Sequence, residues 1–95
     1  MKIVRIIWLR QYVIKIEAKH GVYPEEVREA LMGAPRIRRM GKGKSHAGDD
    51  LYVAYGRTDT GRYLTIFFLH KSGSEALVIS ARDMDRKERK LYGKK

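Results

Sequence analysis

Arg57, Arg62 and Arg82 have the type and the placement to act on a phosphate. Cutting RNA without a metal builds negative charge on a phosphorane, and fixed cationic donors must meet that charge as it develops. Arginine suits the task because its planar guanidinium stays ionised and can grip two phosphate oxygens at once. Arg57 closes one β-prone run and Arg62 opens the next, so a tight turn brings both to one end of a sheet. Arg82 leaves the last β-prone run just before a helix. Each arginine has a competing reading as an ion-pair partner of Asp59, Asp83 or Glu88. Lys19-His20 completes the catalytic candidates: histidine exchanges a proton near neutral pH, and the lysine beside it can hold a phosphate. The same pair equally suits the close of a helix, where basic side chains meet the last carbonyls.

A second set of cations reads as a nucleic-acid contact. Arg36, Arg38, Arg39, Lys42 and Lys44 place five positive charges in nine residues. If Arg36 and Arg38 share a strand face, they form a ladder suited to a phosphate backbone. Tyr52 and Tyr55 offer stacking surfaces for unpaired bases, and Arg89 is grouped with them. The alternative is a charged edge strand, since charges also guard edges against mispairing. Asp49-Asp50 and Asp83-x-Asp85 would admit a magnesium site, but acidic residues before a helix are more economically explained as caps. His20, His46 and His70 lack metal-ligand spacing, cysteine is absent, and no Gly-rich phosphate cradle occurs, so no metal or cofactor is expected.

These residues must be carried by a chain of 95 residues, enough for one domain, 1–95, with 93–95 as a frayed tail. Its formal net charge is +10, from 21 Lys and Arg against 11 Asp and Glu. Such an excess repels itself in the compact state, which points to a polyanionic partner, nucleic acid before acidic protein. Arg5 and Arg10 interrupt any signal-peptide core, and the apolar run near Leu64–Leu69 is too short to span a bilayer. The expectation is a cytoplasmic protein without membrane contact.

The pattern predicts an α+β domain: an N-terminal helical hairpin packed on an antiparallel sheet of about four strands, with a C-terminal helix. Lys2 to Ile7 is β-prone. Leu9, Tyr12, Val13 and Ile16 share a helical face that should end at Lys19-His20, with Gly21 as C-cap. Pro24 opens a second helix, with Glu25 and Glu26 favourable to its N-terminal dipole. Strands are expected at Arg36–Met40, Leu51–Arg57, Arg62–Leu69 and Ala76–Ala81, with Thr58-Asp59-Thr60-Gly61 as a hairpin turn. Gly41 to Gly48 reads as a loop, and Leu64 to Leu69, apolar on both faces, as a central strand. Asp85 and Glu88 have capping-box spacing for a last helix through about Tyr92.

Trp8, Lys19-His20-Gly21-Val22, Glu25, Glu26, Gly56-Arg57-Thr58, Gly61-Arg62, Ile79-Ser80-Ala81-Arg82, Glu88-Arg89 and Tyr92 recur in an ordered spacing that resembles the BrnT family of toxin–antitoxin modules. The resemblance runs from about residue 8 to 92. It implies a RelE-like fold and a metal-independent ribonuclease in which the RNA 2′-hydroxyl attacks the adjacent phosphate. It also implies a BrnA-like antitoxin with a ribbon-helix-helix domain, in a heteromeric complex such as a heterotetramer. Arg57, Arg62 and Arg82 would then hold the phosphate, and His20 with Lys19 would move a proton or orient it. The chain departs from the family where Leu9, Tyr12 and Ile16 replace an Asp, a Lys and an Asn. The competing function is a non-catalytic nucleic-acid-binding or degenerate toxin module kept for partner contacts.

Overall fold

The protein is described from a computed structural model covering residues 1–42 and 49–93, Lys42 by its backbone alone. The element order is β1 (Arg5–Ile7), α1 (Arg10–His20), α2 (Pro24–Met32), β2 (Arg36–Lys42), β3 (Asp50–Arg57), β4 (Tyr63–Lys71), β5 (Glu75–Asp83) and α3 (Arg86–Gly93). Strands lie in the order β1-β5-β4-β3-β2. Lys44 and the tail residues Lys94 and Lys95 lie outside the described residues, as does most of the expected 41–48 loop.

The sheet corrects the expected architecture. It has five strands and is mixed, because β1 pairs parallel with β5, Arg5 opposite Glu75 and Ile7 opposite Leu77. Val4 N–H extends this edge by donating to the Ser74 carbonyl at 3.0 Å. Three residues are too few to show a strand period, and their partner is about seventy residues away, so only tertiary contact fixes the pairing. The other pairs are antiparallel. The two N-terminal helices pack on the sheet, α1 chiefly on β5, and α2 on β3 and β4.

Local signals explain the element ends. Gly21 takes φ 62° and its N–H donates to the Glu17 carbonyl at 2.9 Å, closing α1 just after Lys19-His20. Pro24 sits in the first turn of α2, and Glu26 Oε1 reaches back to the Tyr23 N–H at 3.1 Å. The β3–β4 turn closes through Thr58 N–H to the Arg62 carbonyl at 2.8 Å, with Gly61 at φ 93°. Gly56 has a different reason to be glycine: a Cβ there would overlap the carbonyl of Ala30, so its absence lets α2 lie directly on β3.

The sheet buries both faces, as the apolar β4 run requires of a central strand. On one side Ala54, Leu64, Ile66, Phe68, Ala76, Val78 and Ala81 meet Ile16, Val22, Val27, Ala30 and Leu31 from the two N-terminal helices and their connection. Trp8, Tyr12 and Ile37 pack around that core. On the other side Val53, Tyr55 and Met84 form a smaller core with Tyr63, Phe67 and Tyr92. A bulge in β5 sets which residues reach this second face: Ser80 lies opposite Phe67 and Val78 opposite Phe68, leaving Ile79 as an extra residue. Without it, Arg82 and Asp83 would exchange faces.

Candidate nucleic-acid and catalytic site

The α3 face is built on one carboxylate. Glu88 accepts two hydrogen bonds from Arg82, both at 2.8 Å, one from the Thr65 hydroxyl at 2.9 Å and one from the Asp85 N–H at 2.9 Å. Asp85 returns the cap, accepting from the Glu88 N–H at 2.8 Å, as the sequence spacing required. Burial pushes the Glu88 carboxyl up, but the bonds from Arg82, Asp85 and Thr65 outweigh it and hold the group below the usual carboxylate range. Glu88 raises the Arg82 guanidinium in return. Because α3 has no buried residue, this ion pair and the aromatic contacts of Tyr92 are its main anchors.

Beside that anchor is a cationic cluster around a phenol. Arg57 and Tyr63 are cross-strand partners, and the Arg57 guanidinium lies 5.8 Å from the Tyr63 ring centre. Arg89 approaches the same ring at 4.2 Å from α3, and Tyr92 meets it edge-on at 5.9 Å. Hydrogen bonding from Arg57 lowers the Tyr63 pKa from its ordinary value, burial opposes it, and the charge of Arg57 with the hydrogen bond and charge of Arg89 keeps the balance downward. Among the described residues neither arginine pairs with a carboxylate. Arg86, Arg89 and Lys90, spaced to share one side of α3, line an open cleft of about 540 Å³ with Met84. Two guanidinium groups around a lowered phenol, with more cations alongside, can hold a phosphodiester and exchange a proton with it.

Arg62 sits at the same end of the sheet but turns to the other face. Its guanidinium binds Asp83 at 2.7 and 3.2 Å, Glu26 at 3.0 and 3.1 Å, and the carbonyls of Gly21 and His20 at 2.9 and 3.3 Å. It thereby ties the end of α1, the start of α2, and β4 to β5. The bonds it donates to Asp83 and Glu26 raise its pKa further, and Arg62 in turn holds the Asp83 carboxyl below its ordinary value. Lys19 is exposed and His20 half-buried beside this knot. Arg62 and Arg82 are thus both ion-paired, with Asp83 and Glu88, as one of their two sequence readings anticipated.

Of the second set, Arg36 and Arg38 share the α3 face of β2, opposite Tyr55 and Val53. Arg36 donates to the Leu91 carbonyl at 2.6 Å. Arg39 turns to Asp50 at 3.2 Å. Tyr52 stacks on Phe68 at 5.6 Å on the helix-bearing face and is half-buried, and Tyr55 is only 6% exposed, so the Tyr55 ring is not open to a base. Tyr63 was missed by sequence reasoning; its signal was an aromatic one residue after Arg62 and across the turn from Arg57. Of the departures, Ile16 is buried and Tyr12 packs on the core of the other face, while Leu9 is the exposed N-cap of α1.

Fold and site define a small, basic α+β domain with a cation-lined face suited to a polyanion. The family described as "Ribonuclease toxin, BrnT, of type II toxin-antitoxin system" matches residues 8–88, and the chain belongs to it. Membership implies an RNA target and a protein antitoxin. The fold is similar to that of the Brucella abortus ribonuclease toxin BrnT in its crystal structure, with 19% identity and a TM-score of 0.56. That similarity covers 87% of this chain and 99% of the Brucella protein. Comparison with curated proteins gave no match. Among the described residues no helix is long and apolar enough to cross a membrane.

Proposed function

We propose that this chain is a metal-independent, RelE-like endoribonuclease whose phosphate site is the Arg57–Tyr63–Arg89 cluster. The observation that carries the reading is that cluster itself: two guanidinium groups, without carboxylate partners among the described residues, around one phenol of lowered pKa. Arg57 and Arg89 would take the non-bridging oxygens and stabilise the phosphorane, supplying the positive charge that a metal supplies elsewhere. Tyr63, as phenolate, would accept the proton of the 2′-hydroxyl as its oxygen bonds to phosphorus. The bond to the 5′-oxygen breaks, that oxygen takes a proton from water, and the products are a 2′,3′-cyclic phosphate and a 5′-hydroxyl.

Arg82 and Arg62 act in this reading as positioning residues. Arg82 fixes Glu88 and with it the helix that delivers Arg89, while Arg62 locks the β4 start beside Tyr63. Arg86 and Lys90 extend the phosphate path along α3, and Lys19 and His20 flank the strand where it passes the sheet end. The inhibitory partner is a BrnA-like ribbon-helix-helix antitoxin, and the complex is heteromeric. The packing of Tyr12 and Ile16 in the core away from the cluster supports retained catalysis.

The experiment is cleavage of single-stranded RNA in EDTA, by the wild type and by a folded Arg57→Gln variant. Cleavage with cyclic-phosphate ends by the wild type, at least about a hundredfold slower in the variant, is the expected result. Salt-sensitive binding without cleavage, free or on ribosomes, would instead establish the non-catalytic module.

A further inference from the structure

The second cleft beside α3 has a different chemistry. Arg36, Ile37, Arg38, Tyr55 and Leu91 line a space of about 270 Å³ between β2 and the end of α3. Leu91, 46% exposed, supplies its aliphatic wall, Ile37 contributes only backbone because its side chain packs on the opposite core, and its rim carries the two arginines of one strand face. Tyr55 presents no open ring face for a base. Among the described residues β2 is also the outermost strand, and no described strand pairs with the backbone N–H and C=O groups of its far edge. A peptide can pair with that edge, whereas RNA cannot. The arginines repel a second copy of β2 and select an acidic strand.

We propose that β2 is the docking edge for an acidic, extended segment of the antitoxin, which adds as a sixth strand. On the α3 face of that segment an aliphatic side chain enters the Leu91 cleft, and a carboxylate two residues along meets Arg36 or Arg38. The inference rests on the toxin reading for its partner, but its chemistry is read independently of catalysis. Docking there leaves the Arg86–Arg89–Lys90 cleft to RNA.

The test titrates the labelled full chain, near physiological ionic strength, with a peptide of three Glu-Thr-Leu-Thr repeats. Alternation places glutamate and leucine on one face and threonine on the other. The control peptide has serine for leucine. The expected result is at least tenfold tighter binding of the leucine peptide, with NMR shifts centred on β2 and Leu91. Leu91→Ser should abolish the preference and Arg38→Glu should weaken both peptides, with RNA cleavage by Leu91→Ser unchanged. Equal affinities, shifts centred elsewhere, or displacement of the peptide by a short single-stranded RNA would overturn the proposal. A chain that binds the peptide so but cuts no RNA would refute catalysis alone; one that cuts RNA but ignores leucine would refute the docking edge alone.

Discussion

Arg62→Gln should damage the fold, whereas Arg57→Gln should damage only the chemistry. Arg62 joins two carboxylates and two helix-end carbonyls through one guanidinium whose side chain is 27% exposed. Its Asp83 arm is weak in energy, because Asp83 is 65% exposed and solvent screens the pair, leaving at most about 1 kcal/mol. The Glu26 arm is better shielded, and the lost bonds to the α1 carbonyls add to it, each at about 1 kcal/mol. The total is about 2–4 kcal/mol, against ~5–14 kcal/mol for a domain of this length. That corresponds to a fall in Tm of roughly 10–25 °C. Arg57 is exposed and holds no ion pair among the described residues, so its replacement should leave the unfolding midpoint within error while slowing cleavage about a hundredfold. Urea unfolding followed by Trp8 fluorescence and by circular dichroism, beside RNA cleavage, separates the two. An Arg62→Gln protein with a wild-type midpoint and no cleavage would refute this division and return Arg62 to the chemistry.

Tyr63→Phe should unfold at the wild-type midpoint but cleave RNA at least a hundredfold more slowly, and the basic rise of the wild-type pH–rate profile should be lost. An unchanged profile would remove Tyr63 from proton transfer. Glu88 and Asp83 titrate lower in the folded chain than when unfolded, so the stability they contribute is complete above the ordinary carboxylate range. It should drain away as pH falls from about 4.5 through their lowered folded values, and Glu88→Gln should flatten that acid limb in a plot of urea midpoint against pH. Gly56→Ala should cost ~1–3 kcal/mol or more by pushing α2 off β3, and a native-like midpoint would show that the helix can shift freely.

Much of the fold was legible because its signals are local. Gly21 after a basic helix end, Pro24 with its glutamates, the Thr58–Gly61 turn and the Asp85/Glu88 box each act within four residues, and the structure uses all of them. The apolar β4 run likewise announced a strand covered on both faces. Charge alone pointed to a polyanion, since composition does not depend on folding.

The tertiary structure decided what no window contains. The parallel β1–β5 pair joins segments at opposite ends of the chain, and three residues have no period to betray it. The Ile79 bulge is a matter of register between β4 and β5, yet it turns Arg82 toward Glu88 and Asp83 toward Arg62. Three arginines that look equivalent in sequence thus divide into two ion-paired struts and one exposed cation. Arg89 meets Tyr63 only because Glu88 holds α3 against the sheet. The sequence by itself determined the elements and the excess of positive charge; strand register and helix docking, which depend on contacts between distant segments, decided which of those charges are free to meet a phosphate.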